Sequence, residues 1–278
     1  MKKLQKTVDG KVAKALERIG AEYSLVVISG ASSGIGEALA EMFVCGARNV
    51  CVCNLSRTES PIESENFVNI ACDVSELSQI DRAYEKISEL RKARSLDGGK
   101  VLLINNSGFG AYGLFPEPNA AHNCDMIDVN VRGLTYLCAK FTETLRKSGG
   151  GIINVASTAA FQPCPYLSVY AATKAYVLNF SLALDWELRK FGAKCLCLCP
   201  GPTGTNFFKR AGFDKRPLKS DFGHTAQEVA EACIIAYVRG KNLKVVGKLN
   251  FLQSMFVNII PRVWIGRFAG MVLSIFRN

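Results

Sequence analysis

The sequence holds only 2 histidines and 2 tryptophans, and none of its 11 cysteines belongs to a C-x-x-C pair. Cys51 and Cys53 alternate along one apparent strand, and Cys195, Cys197 and Cys199 along another. Neighbours two apart on a strand point the same way, and a regular strand rarely bends enough to close a tetrahedral metal site. The cysteines therefore read as small buried hydrophobes in a reducing, cytoplasmic setting, and no metal is expected. No secretory leader is expected either. The lysines between Met1 and Gly20 alternate with Val8, Val12, Leu16 and Ile19 instead of preceding an apolar block, a pattern that predicts an amphipathic N-terminal helix. No nucleic-acid motif accompanies the formal charge of +10, so nucleic acid is not an expected partner. A basic surface suits phosphorylated cofactors, anionic thioesters or anionic lipid headgroups equally well.

Apolar residues make up 49% of the chain and charged residues 21%, enough for a sizeable core. Apolar runs of strand length at Leu25–Ser29, Val50–Asn54, Phe67–Ala71, Val101–Asn105, Gly151–Ala156, Ala193–Cys199 and Leu243–Val246 alternate with helical periods. The helical stretches lie near Gly34–Cys45, Ser78–Ala93, Ala120–Lys147, Ser168–Phe191 and Thr225–Arg239. Continuous Val/Ile/Leu/Cys runs separated by helices predict an α/β fold: a doubly wound parallel sheet of about seven strands with helices on both faces. Ligands of such a sheet bind beyond the carboxyl ends of its strands. No repeat or linker divides the pattern. The expected organisation is a helical extension over 1–23, a Rossmann-type catalytic domain over 24–248 and an amphipathic helical tail over 249–278.

After the first strand comes Ser29-Gly30-Ala31-Ser32-Ser33-Gly34-Ile35-Gly36, opening a helix. Glycines let backbone approach a pyrophosphate, and a helix N-terminus offers free N–H groups and a partial positive charge. The acidic residue that holds a ribose 2′-hydroxyl in NAD enzymes sits at the end of the second strand. Here that stretch reads Asn54-Leu55-Ser56-Arg57, with no acid. Ser56 and Arg57 suit a 2′-phosphate, so NADP(H) is the expected cofactor, with NAD(H) as the alternative.

Tyr170 and Lys174 stand four apart on a helical segment and share one face. An ammonium beside a phenol favours the phenolate and is expected to lower its pKa, giving an acid/base for a carbonyl oxygen. Ser157, just past the fifth strand, is placed to hydrogen-bond the same oxygen. Asn130, in the preceding long helical segment, is placed to hold Lys174 through water.

Taken in order, these motifs resemble the single-domain branch of the short-chain dehydrogenase/reductase family, with its ketoacyl and lipid carbonyl reductases. They are the Gly30–Gly36 loop, Asp73-Val74, Asn105-Asn106-Ser107-Gly108, Asn130, Ser157, Tyr170-Ala171-Ala172-Thr173-Lys174 and Pro200-Gly201-Pro202-Thr203-Gly204-Thr205. The likeness covers roughly Ser24 to Gly247. It implies Tyr170 as proton donor, Lys174 lowering its pKa and binding the nicotinamide ribose, Ser157 as carbonyl polariser and Asn130 as anchor of a relay water. Asp73 and Val74 would flank the adenine and Asn105 the adenine-side ribose. Pro200, Gly201, Thr203 and Thr205 would meet the nicotinamide and diphosphate. Ser107 stands where the family has alanine, and the glycine loop lacks the basic residue that many NADP-preferring members carry. The resemblance also implies a dimer or tetramer built on the helices bearing Asn130 and Tyr170.

The expected activity is interconversion of a carbonyl and a secondary alcohol. A non-enzymatic NADPH sensor or scaffold is the rival from another class, although such a protein has no chemical need for Tyr170. Phe109, Tyr112, Phe115, Phe161, Tyr166, Phe207, Phe208 and Phe213 follow the strands that should line the substrate cleft. The connection from Thr205 to His224 reads as a lid and carries Lys209, Arg210, Lys215, Arg216 and Lys219. Aromatics mixed with cations point to a bulky apolar substrate with an anionic head, such as a fatty 3-ketoacyl thioester. In the tail, Phe251, Leu252, Met255, Phe256 and Ile259 form one stripe, and Trp264, Phe268, Met271, Val272 and Ile275 a second, with Pro261 between them. Pro261, Arg262 and Arg267 interrupt the roughly 20 apolar residues that a membrane span needs. Three roles compete for the tail: packing on the domain or a partner subunit, peripheral contact with a membrane surface, and a substrate lid.

Overall fold

The apolar runs assemble, in a computed structural model describing residues 9–213, 223–257 and 259–277, into one seven-stranded parallel sheet. Its strands are β1 (Tyr23–Ser29), β2 (Cys51–Ser56), β3 (Phe67–Ala71), β4 (Lys100–Asn105), β5 (Gly150–Val155), β6 (Ala193–Cys199) and β9 (Leu243–Val245), ordered β3-β2-β1-β4-β5-β6-β9. Two short strands, β7 (Thr203–Gly204) and β8 (His224–Thr225), pair apart from it. The sequence offered no sign of this pair, because two residues are too few for a period. Strand order reverses between β1 and β4, which opens the crevice where doubly wound folds bind ligands.

Each face of the sheet buries a helix layer. On one side α1 (Gly10–Glu22), α2 (Gly34–Gly46) and α8 (Ala226–Val238) cover Val26, Ile28, Leu102, Leu196 and Leu198. On the other, α3 (Leu77–Ala93), α5 (Leu134–Ser148) and α6 (Ser168–Arg189) cover Leu25, Val27, Leu103, Ile152 and Cys195. In α1 the stripe Val12, Leu16 and Ile19 is fully packed, and Asp9 caps the first turn by accepting from Lys11 N at 3.2 Å. Burial of each such side chain contributes about 1.5–3 kcal/mol, so α1 is part of the core. Val8, the first residue of the predicted stripe, lies outside the described residues.

The stretch read as one helix over Ala120–Lys147 is interrupted. It runs as α4 (Ala120–Ile127), a π-helical turn at Asp128–Gly133 containing Asn130, and then α5. Gly133 sits so close to the Val74 carbonyl oxygen that a Cβ there would overlap it, a long-range constraint invisible to periodicity. Strand β2 also continues two residues past the expected end, because Leu55 and Ser56 pair with Ile70 and Ala71. The remaining helices are α7 (Phe207–Arg210), α9 (Lys248–Phe256) and α10 (Arg262–Ser274). No helix among the described residues is long and apolar enough to cross a membrane.

Candidate active site

A cleft of ≈ 1540 Å³ lies beyond the carboxyl ends of the strands. Sites for one drug-sized ligand occupy about 300–1,000 Å³, so this cleft has room for a dinucleotide and a second molecule.

One end is built by the glycine loop. Gly30 and Gly34 adopt φ of +76° and +64°, which only glycine takes without strain. A Cβ on Gly36 would overlap the Gly30 carbonyl oxygen, so this residue packs behind the loop instead of lining the cleft. Ser33 enters α2 in extended conformation without a side-chain cap bond, while Ser32, Ser33, Gly34 and Ile35 line the cleft. Such a cradle fits a diphosphate. Two asparagines hold it in shape. Asn54 Oδ1 accepts from Ala31 N at 2.9 Å, and Asn106 Nδ2 donates to Gly30 O at 2.9 Å and Ser29 O at 3.2 Å. Ser29 Oγ accepts from the backbone N–H groups of Asn106 and Ser107, both at 3.1 Å.

Asn105, expected at the adenine-side ribose, does not line the cleft. Its amide is buried and donates to Asn154 Oδ1 at 2.8 Å and Cys138 Sγ at 3.2 Å, behind the sheet edge. The residue at the cleft is Asn106, the first beyond β4. Asn54 and Asn106 are the supports that sequence reasoning missed; the sole signal was their position at the ends of strands.

Ser56, Arg57, Asp73 and Val74 form the rim beyond the loop. The Ser56 and Ser32 hydroxyls are 3.1 Å apart, and Arg57 Nη1 lies 3.6 Å from Asp73 Oδ2. Partial burial works to raise the Asp73 pKa, but Ser75 hydrogen bonds and the Arg57 charge outweigh it, leaving the carboxyl below its ordinary range. The Arg57 side chain is 77% exposed and free to reorient toward an anion.

At the other end α6 presents Tyr170 and Lys174 toward Ser157, which caps a short 3₁₀ turn, Thr158–Phe161, by accepting from Ala159 N at 3.1 Å. Lys174 Nζ donates to Val155 O at 2.9 Å and lies 5.7 Å from the Tyr170 ring centroid. Burial pushes the Tyr170 phenol up to about 12, against the pull of a hydrogen bond with Ser157. Burial also pushes the Lys174 ammonium down to about 8. Desolvation outweighs the Ser157 hydrogen bond, so burial sets the direction of the phenol's shift.

Asn130 is fully buried and also lies off the cleft. Its Nδ2 donates to Phe109 O at 2.9 Å and Thr173 Oγ1 at 3.1 Å, and its Oδ1 accepts from Phe109 N at 3.1 Å. The π turn thus ties the loop after β4 to α6 one residue from Lys174. Gly108 makes that approach possible, since a Cβ there would sit 2.9 Å from Asn130 Oδ1 and 3.3 Å from Lys174 Nζ. Ser107, Pro200, Gly201, Thr203 and Thr205 line the cleft between its two ends.

From Tyr170 an aromatic wall runs outward. Ring centroids are separated by 5.2 Å to Phe207, then 5.6 Å to Phe208, 5.3 Å to Phe213 and 6.0 Å to Phe276 in the tail. Phe109 also lines the cleft, whereas Tyr112, Phe161 and Tyr166 do not, and Phe115 is exposed. Lys215, Arg216 and Lys219 of the expected lid lie outside the described residues; Arg210 lines the cleft. Helices α9 and α10 and the connection between them complete the outer wall with Phe256, Ile260, Trp264 and Phe268. Among the described residues, no group of three or more His, Cys, Asp or Glu side chains is placed to hold a metal ion.

A glycine-rich cradle at the switch-point crevice, facing a Ser–Tyr–Lys cluster, defines a dinucleotide-dependent oxidoreductase. Residues 24–215 match the family model of the short chain dehydrogenases, and the chain belongs to that family. An uncharacterized oxidoreductase of Staphylococcus aureus is 27% identical over 230 residues, 80% of this chain and 94% of that protein. One from Schizosaccharomyces pombe is 29% identical over 168 residues, covering 60% of this chain and 56% of its own length. Among solved structures, a short chain dehydrogenase from Burkholderia cenocepacia in complex with NADP superposes with a TM-score of 0.73 at 20% identity, covering 89% of this chain and 98% of that one. A short-chain dehydrogenase from Sphingobium yanoikuyae in complex with NADPH gives 0.68 at 25% identity, covering 86% and 97%.

Proposed function

We propose that this protein is an NADP(H)-dependent oxidoreductase interconverting a carbonyl and a secondary alcohol on a bulky apolar substrate, a fatty 3-ketoacyl or similar lipid-like ketone. The observation that carries the reading is a buried Tyr170 beside Ser157 and Lys174, in a cleft that continues into the aromatic wall. The glycine loop and α2 would hold the diphosphate, Ser56 and Arg57 a 2′-phosphate, and Asp73 and Val74 the adenine. Pro200, Gly201, Thr203 and Thr205 would border the nicotinamide end. The complex of the Sphingobium protein with NADPH supports the cofactor assignment, with NAD(H) as the alternative.

A nicotinamide held in this cleft would supply the hydride for the carbonyl carbon. Tyr170 Oη gives its proton to the carbonyl oxygen while Ser157 Oγ donates a hydrogen bond to the same atom. The Lys174 ammonium stabilises the phenolate left behind, and Asn130 positions Lys174 through Thr173. Residues 24–248 form the catalytic unit in this reading, 1–23 an N-terminal extension whose helix α1 packs into the core, and 249–278 the outer wall of the substrate half. Exposed Tyr176 and Trp186 on α6 support assembly into a dimer or tetramer, and the free state of all 11 cysteines supports a reducing, cytoplasmic setting.

NADPH and NADH titration followed by nicotinamide fluorescence, then NADPH oxidation over a panel of ketones, tests this assignment. Long acyl ketones are expected to exceed small neutral ketones in kcat/KM by at least about tenfold, the value of one or two buried methylenes. Equal turnover of both would remove the substrate class, and binding without any turnover would remove the catalytic reading. Arg57→Ala is expected to weaken NADPH about tenfold and leave NADH unchanged, the loss of one exposed charge-assisted contact. Equal weakening of both cofactors would show that Arg57 does not meet a 2′-phosphate.

The rate of reduction should also depend on pH through Lys174. Its ammonium, lowered from 10.5 to about 8, is present below pH 8 and lost above it, while Tyr170 keeps its proton to about 12. Reductive kcat/KM is thus expected to be level below pH 7 and to fall above pH 8 as the cation disappears. A profile level from pH 7 to 10 would contradict this role.

A further inference from the structure

We infer that α9 and α10 form a docking face for an anionic lipid surface, so that the cleft opens against the membrane and draws its substrate from there. The substrate half of this inference rests on the bulky-ketone reading above; the docking half stands on the tail alone. The tail presents apolar side chains both to the cleft and away from it. Phe256, Ile260, Ile265 and Phe268 line the cleft, whereas Leu249, Leu252, Met255, Ile259, Val263 and Met271 do not. Leu249, Leu252 and Met255 recur at three-residue spacing in α9, Ile259 follows in the connection, and Val263 and Met271 stand two turns apart in α10; all are exposed, Leu249 by 82% and Ile259 by 78%. Contiguous apolar patches beyond a few hundred Å² are uncommon on monomeric soluble proteins and mark interaction sites.

Charge selects the occupant. Residues 248–278 carry Lys248, Arg262, Arg267 and Arg277 and no aspartate or glutamate. Arg277 pairs with Glu117 at 3.4 Å. Lys248, Arg262 and Arg267 are exposed and make no salt bridge among the described residues. Apolar side chains interleaved with cations complement acyl chains beneath anionic headgroups. A second copy fits worse, because a two-fold contact of this patch with itself would oppose cations to cations. The helices are 9 and 13 residues long with Pro261 between them, too short for the roughly 20-residue span, so they lie in the interface. Far-off residues hold the face in place: the Tyr112 hydroxyl donates to Leu273 O at 2.6 Å, and Phe213 meets Phe276.

The test is co-sedimentation of the full chain with vesicles of phosphatidylcholine alone or mixed with phosphatidylglycerol, without any carbonyl substrate. The wild type is expected to pellet with the anionic vesicles, and less so as salt is raised. Leu252→Asp/Met255→Asp/Met271→Asp, on the face away from the cleft, should reduce that binding at least about tenfold while NADPH affinity is retained. Should the triple variant lose NADPH affinity as well, Arg262→Gln/Arg267→Gln serves in its place, with the same reduction expected. Absence of wild-type binding to anionic vesicles overturns the inference, as does unchanged binding by a variant that retains NADPH affinity. Light scattering that shows self-association abolished by the triple variant, with no vesicle binding, would assign the face to a second copy instead. Tyr170→Phe protein should bind vesicles like the wild type, so failure of the catalytic reading and failure of docking are separately visible.

Discussion

Tyr170→Phe is expected to lower kcat/KM for carbonyl reduction about 10²–10⁴-fold, the usual worth of a positioned general acid, with NADPH affinity essentially unchanged. That loss corresponds to about 3–5 kcal/mol of transition-state stabilisation. The substitution is clean because the ring stays. Phenylalanine keeps the buried packing and the 5.2 Å contact with Phe207, so the aromatic wall and α6 are undisturbed. Only Oη is removed, and with it the proton source and the hydrogen-bond partner of Ser157. Fluorescence titration and single-turnover oxidation of bound NADPH separate the two effects. A parallel loss of cofactor binding would place Tyr170 in the cofactor site rather than in the chemistry. Unchanged turnover would end the catalytic assignment.

Gly36→Val is expected to weaken NADPH more than about 100-fold and to lower the melting temperature. A Cβ at this position would run into the Gly30 carbonyl oxygen and come within 2.5 Å of Asn106 Nδ2. Neither neighbour can swing away cheaply. Gly30 is backbone at positive φ, and Asn106 is committed to hydrogen bonds with both Ser29 and Gly30. The loop must open, and the N–H groups aimed at a diphosphate disperse. Gly10→Ala is the matched control, since a Cβ there meets nothing within 4 Å, and it should leave NADPH binding unaltered. Gly36→Val with wild-type NADPH affinity would show that the loop does not cradle the cofactor.

Much of this was legible in the chain because its signals are local. Buried parallel strands read as unbroken Val/Ile/Leu/Cys runs, and the turn from β1 into α2 needs glycine at Gly30, Gly34 and Gly36 whatever surrounds it. Four residues of helix put Tyr170 and Lys174 on one face without reference to the rest of the molecule. Parity at the end of β4 was harder. Asn105 and Asn106 are chemically identical, and pairing with β1 and β5 decides which one turns inward to Asn154 and which reaches the cleft.

The unread features depend on sums over distant neighbours. Spacing places an ammonium near a phenol, but the pKa follows from how much water the fold excludes, and exclusion carried Tyr170 up to about 12. The interruption at Asn130 lies where Gly133 meets Val74 of the loop after β3. In the tail both apolar stripes were visible as periods. Which residues close the cleft and which face outward depends on contacts with Tyr112, Glu117 and Phe213, all distant in sequence from Leu273, Arg277 and Phe276. Local stereochemistry is written in neighbouring residues; desolvation and the choice between two apolar faces are properties of contacts that exist only once the chain has closed on itself.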